Sequence, residues 1–228
     1  MGRLAVILGS SALGPGGEEI AAAAAEHGAA IVQRHGTADD GSYVLPHEID
    51  HVANLKALVE QGCDRVLGIG SVGSLSAELP VGTLVCPDDF IALHLKLSAF
   101  GDARAHSAPG FAPRWRGEVI EAWGAGGQAP RDGGVYWQAI GPRFETPAEI
   151  AMIAPRADVI GMTIASECIV AKELGLEYAA LCMVDNLANG LGAGTLDLAE
   201  LEADRILNAA RLRDGLAAVL PRLGAVGR

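Results

Sequence analysis

The sequence predicts an α/β domain, and three observations carry that prediction. Short runs of β-forming residues alternate with helical stretches from end to end, with no internal repeat and no low-complexity linker between them. The chain has 228 residues, half of them apolar and 20% charged, which suits one α/β core and leaves little room for a second. Residues 1–228 therefore read as a single domain. Thirty glycines and many alanines against only 4% aromatic residues point to close packing of helices on a sheet.

Each element follows from its own pattern. Leu4–Gly9 reads as a buried strand, followed by a Gly/Ser turn over Ser10–Gly17 and an alanine-rich helix from about Glu18 to His27. Ala29–Gln33 is a second short strand. From His47 to Gln61 the apolar residues Ile49, Val52, Ala53, Leu55 and Leu58 form a helical stripe that ends near Gly62. Arg65–Ile69 is a strand of the wholly buried kind, and Thr83–Cys86 and Phe90–Leu93 are further strands. Residues 98–133 mix Gly, Pro, Arg and two tryptophans around a short helix at Arg116–Trp123, and read as a mobile loop. Regular structure returns with a strand at Gly134–Ile140 and a helix from Pro147 to about Ala154, where a proline in the first turn costs no needed hydrogen bond. A strand at Val159–Gly161, a helix at Ser166–Leu174, a strand at Tyr178–Val184 and a last helix from Asp197 to about Val219 complete the chain.

Charge and composition exclude several classes. Seventeen Lys and Arg against 28 Asp and Glu give a net charge of −11, with no long basic stripe, so nucleic-acid binding by counterion release is not expected. A small anion in a local pocket is compatible with that charge. The most apolar stretch, near Ile20–Val32, is broken by Glu26, His27 and Gly28, so no membrane span is expected. The start, MGRLAVILGSSALG, resembles a weak signal peptide, but its apolar run is only Leu4–Leu8, and a first strand is the better reading. Cys63, Cys86, Cys168 and Cys182 are scattered without a CxxC, and are expected as buried reduced thiols in a cytoplasmic protein.

Among the motifs, Gly68-Ile69-Gly70-Ser71-Val72-Gly73 has the spacing of a dinucleotide fingerprint. A dinucleotide site needs a helix to open there, and Pro80 and Gly82 leave barely two turns, so a nicotinamide-dependent oxidoreductase is only a distant third reading. A Gly-rich turn exposing N–H groups to a small anion is the expectation that remains. Ser10 and Ser11 occupy a second Gly-rich turn, where helix capping is their ordinary role, and Arg34 and His35 close another strand. With Thr163 at the end of Val159–Met162, several strand ends offer hydroxyls, N–H groups and a guanidinium, and ligands of open α/β sheets bind at strand ends. The run Gly141-Pro142-Arg143-Phe144-Glu145-Thr146-Pro147-Ala148-Glu149-Ile150 is more specific: a capping box accounts for Thr146 and Glu149 but not for the residues before them.

Taken in order, GSSAL (9–13), RHG (34–36), LPHEIDHVANLKAL (45–58), GSVGSL (70–75), GPRFETPAEI (141–150), GMT (161–163) and MVDN (183–186) resemble the trimeric purine nucleoside phosphorylase and 5′-methylthioadenosine phosphorylase family, from Leu4 to about Arg211. The resemblance implies a mixed, partly barrel-like central sheet flanked by helices and a homotrimer, or a hexamer. It implies cleavage of a purine nucleoside by inorganic phosphate as co-substrate, with no metal and no other cofactor. It places Ser11, Arg34, His35, Ser71 through its backbone N–H, and Thr163 at the phosphate, where an Arg fork and aimed hydroxyls suit a tetrahedral oxyanion. It places Met162 beneath the ribose, Phe144 beside the purine ring, and Glu145 and Asn186 at the purine edge.

Those last two residues set the substrate class. A carboxylate at 145 accepts from the N1–H of a 6-oxopurine, and Asn186 near N7 stabilises charge on the departing base. Adenine-cleaving relatives usually carry Ser at the first position and aspartates where this chain has Asn186 and Ala188, so inosine, guanosine or 5′-methylthioinosine is expected. Asp185 is a further catalytic candidate, since a small shift of backbone register presents it to N7 instead. The alternatives are a 5′-methylthioadenosine phosphorylase and a non-catalytic nucleoside-binding protein.

The chain departs from the family pattern in four places. Ser10-Ser11-Ala12 carries side chains where glycines usually stand, the segment between Ser11 and Arg34 is short, and no Pro precedes Glu167. The stretch around His106 replaces an acidic and aromatic element that closes over the sugar. His47, His51 and His106 are each candidates to reach the sugar or a neighbouring subunit.

Overall fold

The computed structural model describes residues 2–9, 17–36, 42–192 and 198–225. Their architecture is a mixed, partly barrel-like sheet flanked by helices, as expected. Two long parallel strands form its spine, β3 (Cys63–Ser74) and β9 (Glu177–Leu187), paired from Arg65↔Glu177 onward. The first half of β3 pairs on its other edge with β1 (Arg3–Leu8), which carries β2 (Ala30–Gln33) in turn. Its last two residues pair antiparallel with β8 (Val159–Gly161) instead. Beyond β8 the sheet continues to β7 (Val135–Gln138) and β5 (Asp89–Ile91); beyond β9 it continues to β4 (Leu84–Cys86) and β6 (Arg131–Asp132).

Strand alternation sorts the spine onto two cores. Leu4, Val6 and Leu8, Leu67 and Ile69, and Ala179, Leu181 and Met183 face one side. There they meet α1 (Gly17–Glu26), α3 (Pro113–Ala125) and α6 (Leu198–Ala225), the last through Leu212, Leu216, Val219, Leu220 and Leu223 at helical spacing. Ala5, Ile7, Val66, Tyr178, Ala180, Cys182 and Val184 face the other side, against α2 (His51–Glu60) and α5 (Ile164–Glu173). The short α4 (Pro147–Ile153) buries Ile150 and Ile153 against Leu75, Ile160 and Ala188.

Three sequence expectations are corrected here. The expected helix over His47–Gln61 is divided: Pro46–Glu48 is a 3-10 turn, Ile49 is extended, and Asp50 caps α2 by accepting from the Ala53 N–H at 2.8 Å. Residues 98–133 are not one loop: the short helix expected at Arg116–Trp123 is the longer α3, Pro113–Ala125, whose Trp115, Val119 and Trp123 are fully buried at the spacing of one helix face. The Trp115 indole donates to the Val66 carbonyl at 2.8 Å, and Arg116 donates to the Pro87 and Cys86 carbonyls, so the segment is bolted to the sheet. Finally, Gly68–Gly73 is not a turn after a strand but the interior of β3, which runs on to Ser74. A Cβ on Gly70 or Gly73 would lie 3.3 Å from Ile164 or 3.2 Å from Ile160, so these glycines admit close side-chain packing rather than a phosphate loop.

Candidate active site

The site arises where the sheet divides. On one edge of β3, pairing with β1 ends at Ile69 and pairing with β8 begins at Gly73. Among the described residues the stretch between has no strand neighbour on that edge, and Ser71, Val72 and Gly73 line a cavity of about 260 Å³ there. Strand ends and loops bring the other walls: Gly9, Arg34 and His35 after β1 and β2, Phe144 and Glu145 before α4, Met162 and Thr163 after β8, and Asn186 on β9.

Arg34 is buried and held on three sides. Its Nε and Nη2 donate to the two Glu167 carboxylate oxygens at 2.5 and 3.0 Å, and its Nη1 donates to the Ile69 carbonyl at 2.7 Å. Burial works against the charge, but the adjacent Glu167 carboxylate more than compensates and raises the pKa. A guanidinium has five N–H groups, so two remain for a ligand. A Cβ on Gly9 would stand 2.5 Å from Nη1, so glycine at that position lets the chain pass over the guanidinium.

His35 is half spent. Its Nδ1 lies 2.9 Å from the Val44 carbonyl, which can only accept, so Nδ1 carries the proton and Nε2 accepts from the Tyr43 hydroxyl at 3.2 Å. Burial lowers its pKa, and Arg34 acts in the same direction, so the ring that stacks on Tyr43 at 4.4 Å is neutral. Thr163 precedes α5 and is its N-cap by position, yet its side chain makes no cap hydrogen bond. Thr163 itself lines the cavity, while the first N–H groups of α5 are engaged elsewhere: Ile164 N–H donates to the Tyr136 hydroxyl at 3.3 Å and Ser166 N–H to Gln138 Oε1 at 3.1 Å.

The opposite wall is built by the 141–150 motif. The expected capping box is present: Thr146 Oγ1 accepts from the Glu149 N–H at 3.2 Å, and Glu149 Oε2 accepts from the Thr146 N–H at 2.7 Å. Arg143 donates to both Glu149 oxygens at 2.8 Å, which ties the loop to its helix and leaves Phe144 and Glu145 on the cavity. Gly141, at φ +72°, lies against the Met162 sulfur so closely that a Cβ would stand 2.6 Å from it. Burial pushes the Glu145 carboxyl up, with Glu149 adding to it.

Asp185 and Asn186 stand at a β-bulge. Val72 pairs with Val184 but Gly73 pairs with Asn186, so Asp185 is the extra residue. As alternation along β9 from Met183 and Val184 requires, the two side chains point to opposite faces. Here Asn186 lies opposite Gly73 on the cavity, its Nδ2 donating to the Leu187 carbonyl at 2.7 Å. Asp185, expected as a candidate for the base, is fully buried behind the wall. It accepts from the Ser71 hydroxyl and, at 2.8 Å, from Asn208 Nδ2 on α6, while burial raises its pKa.

Ser11 lies outside the described residues. His47 and His51 line a second cavity of about 270 Å³ that shares Pro46 and Met162 with the first, and exposed His106 lines neither. Sequence reasoning missed Tyr43, Asn189 and Arg205. Asn189 Nδ2 donates to the Glu145 carbonyl at 3.0 Å, and Arg205 reaches the cavity from α6. Its spacing of three from Asn208 on one helix was the available signal. The four cysteines are buried and unpaired, with burial raising Cys86 to about 11 and Cys168 to about 12. Among the described residues no cluster of His, Cys, Asp and Glu has the makings of a metal site, and no helix is long and apolar enough to cross a membrane.

Comparison with known proteins shows the family and the fold. A 173-residue stretch is 42% identical to a protein of Archaeoglobus fulgidus named "Probable 6-oxopurine nucleoside phosphorylase", covering 75% of this chain and 70% of that one. Over 184 residues it is 37% identical to a "Probable S-methyl-5'-thioinosine phosphorylase" of Xanthomonas campestris, covering 77% and 72%. The fold is shared with the methylthioadenosine phosphorylase of Schistosoma mansoni in complex with adenine, at a TM-score of 0.80 and 19% identity, over 99% of this chain and 93% of that one. The sequence profile of the Phosphorylase superfamily matches residues 11–221, and the chain belongs to that family.

Proposed function

We propose that the protein cleaves the N-glycosidic bond of a 6-oxopurine nucleoside with inorganic phosphate, giving the free base and a ribose 1-phosphate. The observation that carries the reading is one cavity with Arg34 and Thr163 on one side and Glu145 and Asn186 on another, with Met162 also in its wall. Relatives named for 6-oxopurine nucleoside and methylthioinosine phosphorolysis, at 42% and 37% identity, support it.

In this reading phosphate sits against the two remaining Arg34 N–H groups, the Thr163 hydroxyl and the open edge of β3. Preorganised donors there hold the nucleophile where it meets C1′, so position rather than basicity lowers the barrier. As the C1′–N9 bond breaks, its electron pair passes into the purine, and a phosphate oxygen forms the new bond to C1′. Asn186 donates to N7 as that charge builds, and Glu145, as carboxylate, accepts from N1–H. His35, neutral and engaged by Val44 and Tyr43, shapes the wall instead of supplying charge. Inorganic phosphate is the co-substrate, and no other cofactor enters the reading.

The reading extends to a homotrimer, which the family resemblance and the exposed apolar side chains Leu93 and Ile140 support; sedimentation as a 23.4 kDa monomer would count against it. It also includes purine salvage in the cytoplasm, which the four buried cysteines suit. The test is base release from inosine, guanosine, 5′-methylthioinosine, adenosine and 5′-methylthioadenosine, each with and without phosphate. Phosphate-dependent release from the 6-oxopurine nucleosides alone is expected. Release from the adenine nucleosides instead would overturn the assignment of Glu145 and Asn186.

A further inference from the structure

A buried charged group stands one layer behind the cavity. Glu167, in the first turn of α5, is 1% exposed, and its carboxylate does not itself line the cavity. Three donors meet it: Arg34 Nε at 2.5 Å and Nη2 at 3.0 Å, and the Tyr178 hydroxyl at 2.5 Å. Both oxygens are thereby satisfied, which is what a buried carboxylate requires. Room for the arrangement comes from Gly68, where a Cβ would stand 2.0 Å from the Tyr178 hydroxyl and 3.0 Å from Glu167.

We propose that Glu167 is the positioning residue of the phosphate site, acting through Arg34 and itself held by Tyr178. The inference rests on the phosphorylase reading above. A two-point contact between planar groups sets the plane of the Arg34 guanidinium, and the third bond, to the Ile69 carbonyl, sets its rotation. The two N–H groups left over are then fixed in direction before any ligand arrives. The carboxylate also offsets the guanidinium charge, so the site reads a tetrahedral anion by the direction of its donors more than by net charge. An arginine on a long flexible side chain, without this partner, would have many rotamers available and few that aim at the anion.

Three variants test the proposal: Glu167→Gln, Glu167→Asp and Tyr178→Phe. Initial rates are measured with inosine while phosphate is varied, and inorganic phosphate binding to the same folded proteins is followed by calorimetry without nucleoside. Glu167→Gln removes the charge and one acceptor, and should raise the KM for phosphate roughly ten- to a hundredfold while the KM for inosine changes less than about threefold. Tyr178→Phe leaves the Arg34 pair in place and should move the same parameter in the same direction by less. Glu167→Asp keeps the charge but shortens the reach, and should fall between wild type and Glu167→Gln. A lowered melting temperature with an unchanged KM and Kd for phosphate in all three variants would overturn the proposal, leaving Glu167 a residue of the core. If Glu167→Gln does not fold, an unchanged phosphate Kd in Tyr178→Phe overturns it equally. Wild-type protein that binds phosphate but cleaves none of the nucleosides would overturn the functional reading instead, and the calorimetric comparison would still decide the role of Glu167.

Discussion

Gly68 on β3 and Tyr178 on β9 share one volume: the phenol hydroxyl of Tyr178 lies 2.0 Å from the point where a β-carbon of residue 68 would stand. Tyr178 is paired in register with Val66, so its ring leans two residues along β3 to reach Glu167, and only a glycine lets it pass. Gly161 admits the Tyr136 hydroxyl in the same way, at 2.5 Å. Gly68, Gly70 and Gly73, which resemble a nucleotide fingerprint in one dimension, are therefore packing vacancies for Tyr178, for Ile164 of α5 and for Ile160 of β8. Gly68→Ala should lose roughly 1–3 kcal/mol of stability or more, because neither the central strand nor the buried hydroxyl can yield cheaply. Urea unfolding measures it, and an unshifted midpoint would show that Tyr178 relaxes without cost.

Asp185 and Asn186, neighbours at the bulge, differ in role. Asp185→Ala strips partners from Ser71 and from Asn208 Nδ2, and should cost about 1–3 kcal/mol while the preference between inosine and adenosine stays as in wild type. Asn186→Ala should cost little stability and slow inosine cleavage at least about tenfold, the worth of one charge-assisted hydrogen bond to the departing base. Parallel unfolding and inosine/adenosine rate measurements decide the matter. A base preference that followed Asp185 instead would reverse the assignment.

Trp115 joins the least legible stretch of sequence to the spine of the sheet. Its indole N–H satisfies the Val66 carbonyl deep in the core. Trp115→Phe should lower stability by roughly 1–3 kcal/mol through a lost buried hydrogen bond and a partly emptied site. Thermal unfolding would show it. A negligible effect would mean that α3 is only loosely attached.

His51 makes stability depend on pH. It is buried beside Glu167, Arg34 and His35, with Asp50 also near, and burial pushes its pKa down to about 4. The unfolded chain takes up this proton near pH 6.5 and the folded protein only near pH 4, so between those values the unfolded state binds more protons. Stability therefore falls as the solution is acidified from pH 6.5 toward 4, by about 3 kcal/mol at the end of that window. Raised carboxyls such as Asp185 act in the opposite sense at the acid end, so the comparison of wild type with His51→Gln isolates the histidine. The difference in unfolding free energy should shrink as pH falls from 6.5 to 4. A constant difference across that range would show that His51 is protonated or exposed in the folded state.

Much of this protein is written in local pattern. The alternation of Leu4–Leu8, the helical stripe through Leu55 and Leu58 and the capping box at Thr146 and Glu149 each depend on neighbours within a few residues, and each appears where local physics places it. Arg34 and Thr163 were legible as ligand-facing because they stand at strand ends, whereas Glu145 and Asn186 were legible only through the family resemblance of their motifs. What sequence alone could not decide involves partners far along the chain. Glu167 meets Arg34 across 133 residues, and Ser71 meets Asp185 across 114. The placing of Asn186 opposite Gly73 exists only in the pairing of β9 with β3, and the burial of Trp115 and Trp123 only in the packing of α3 on the sheet. Sequence by itself determined the elements and the kinds of group available at the site, because those follow from periodicity and side-chain chemistry. Tertiary structure alone decided which of those groups face a ligand and which face each other, because register, burial and pairing are properties of segments brought together from opposite ends of the chain.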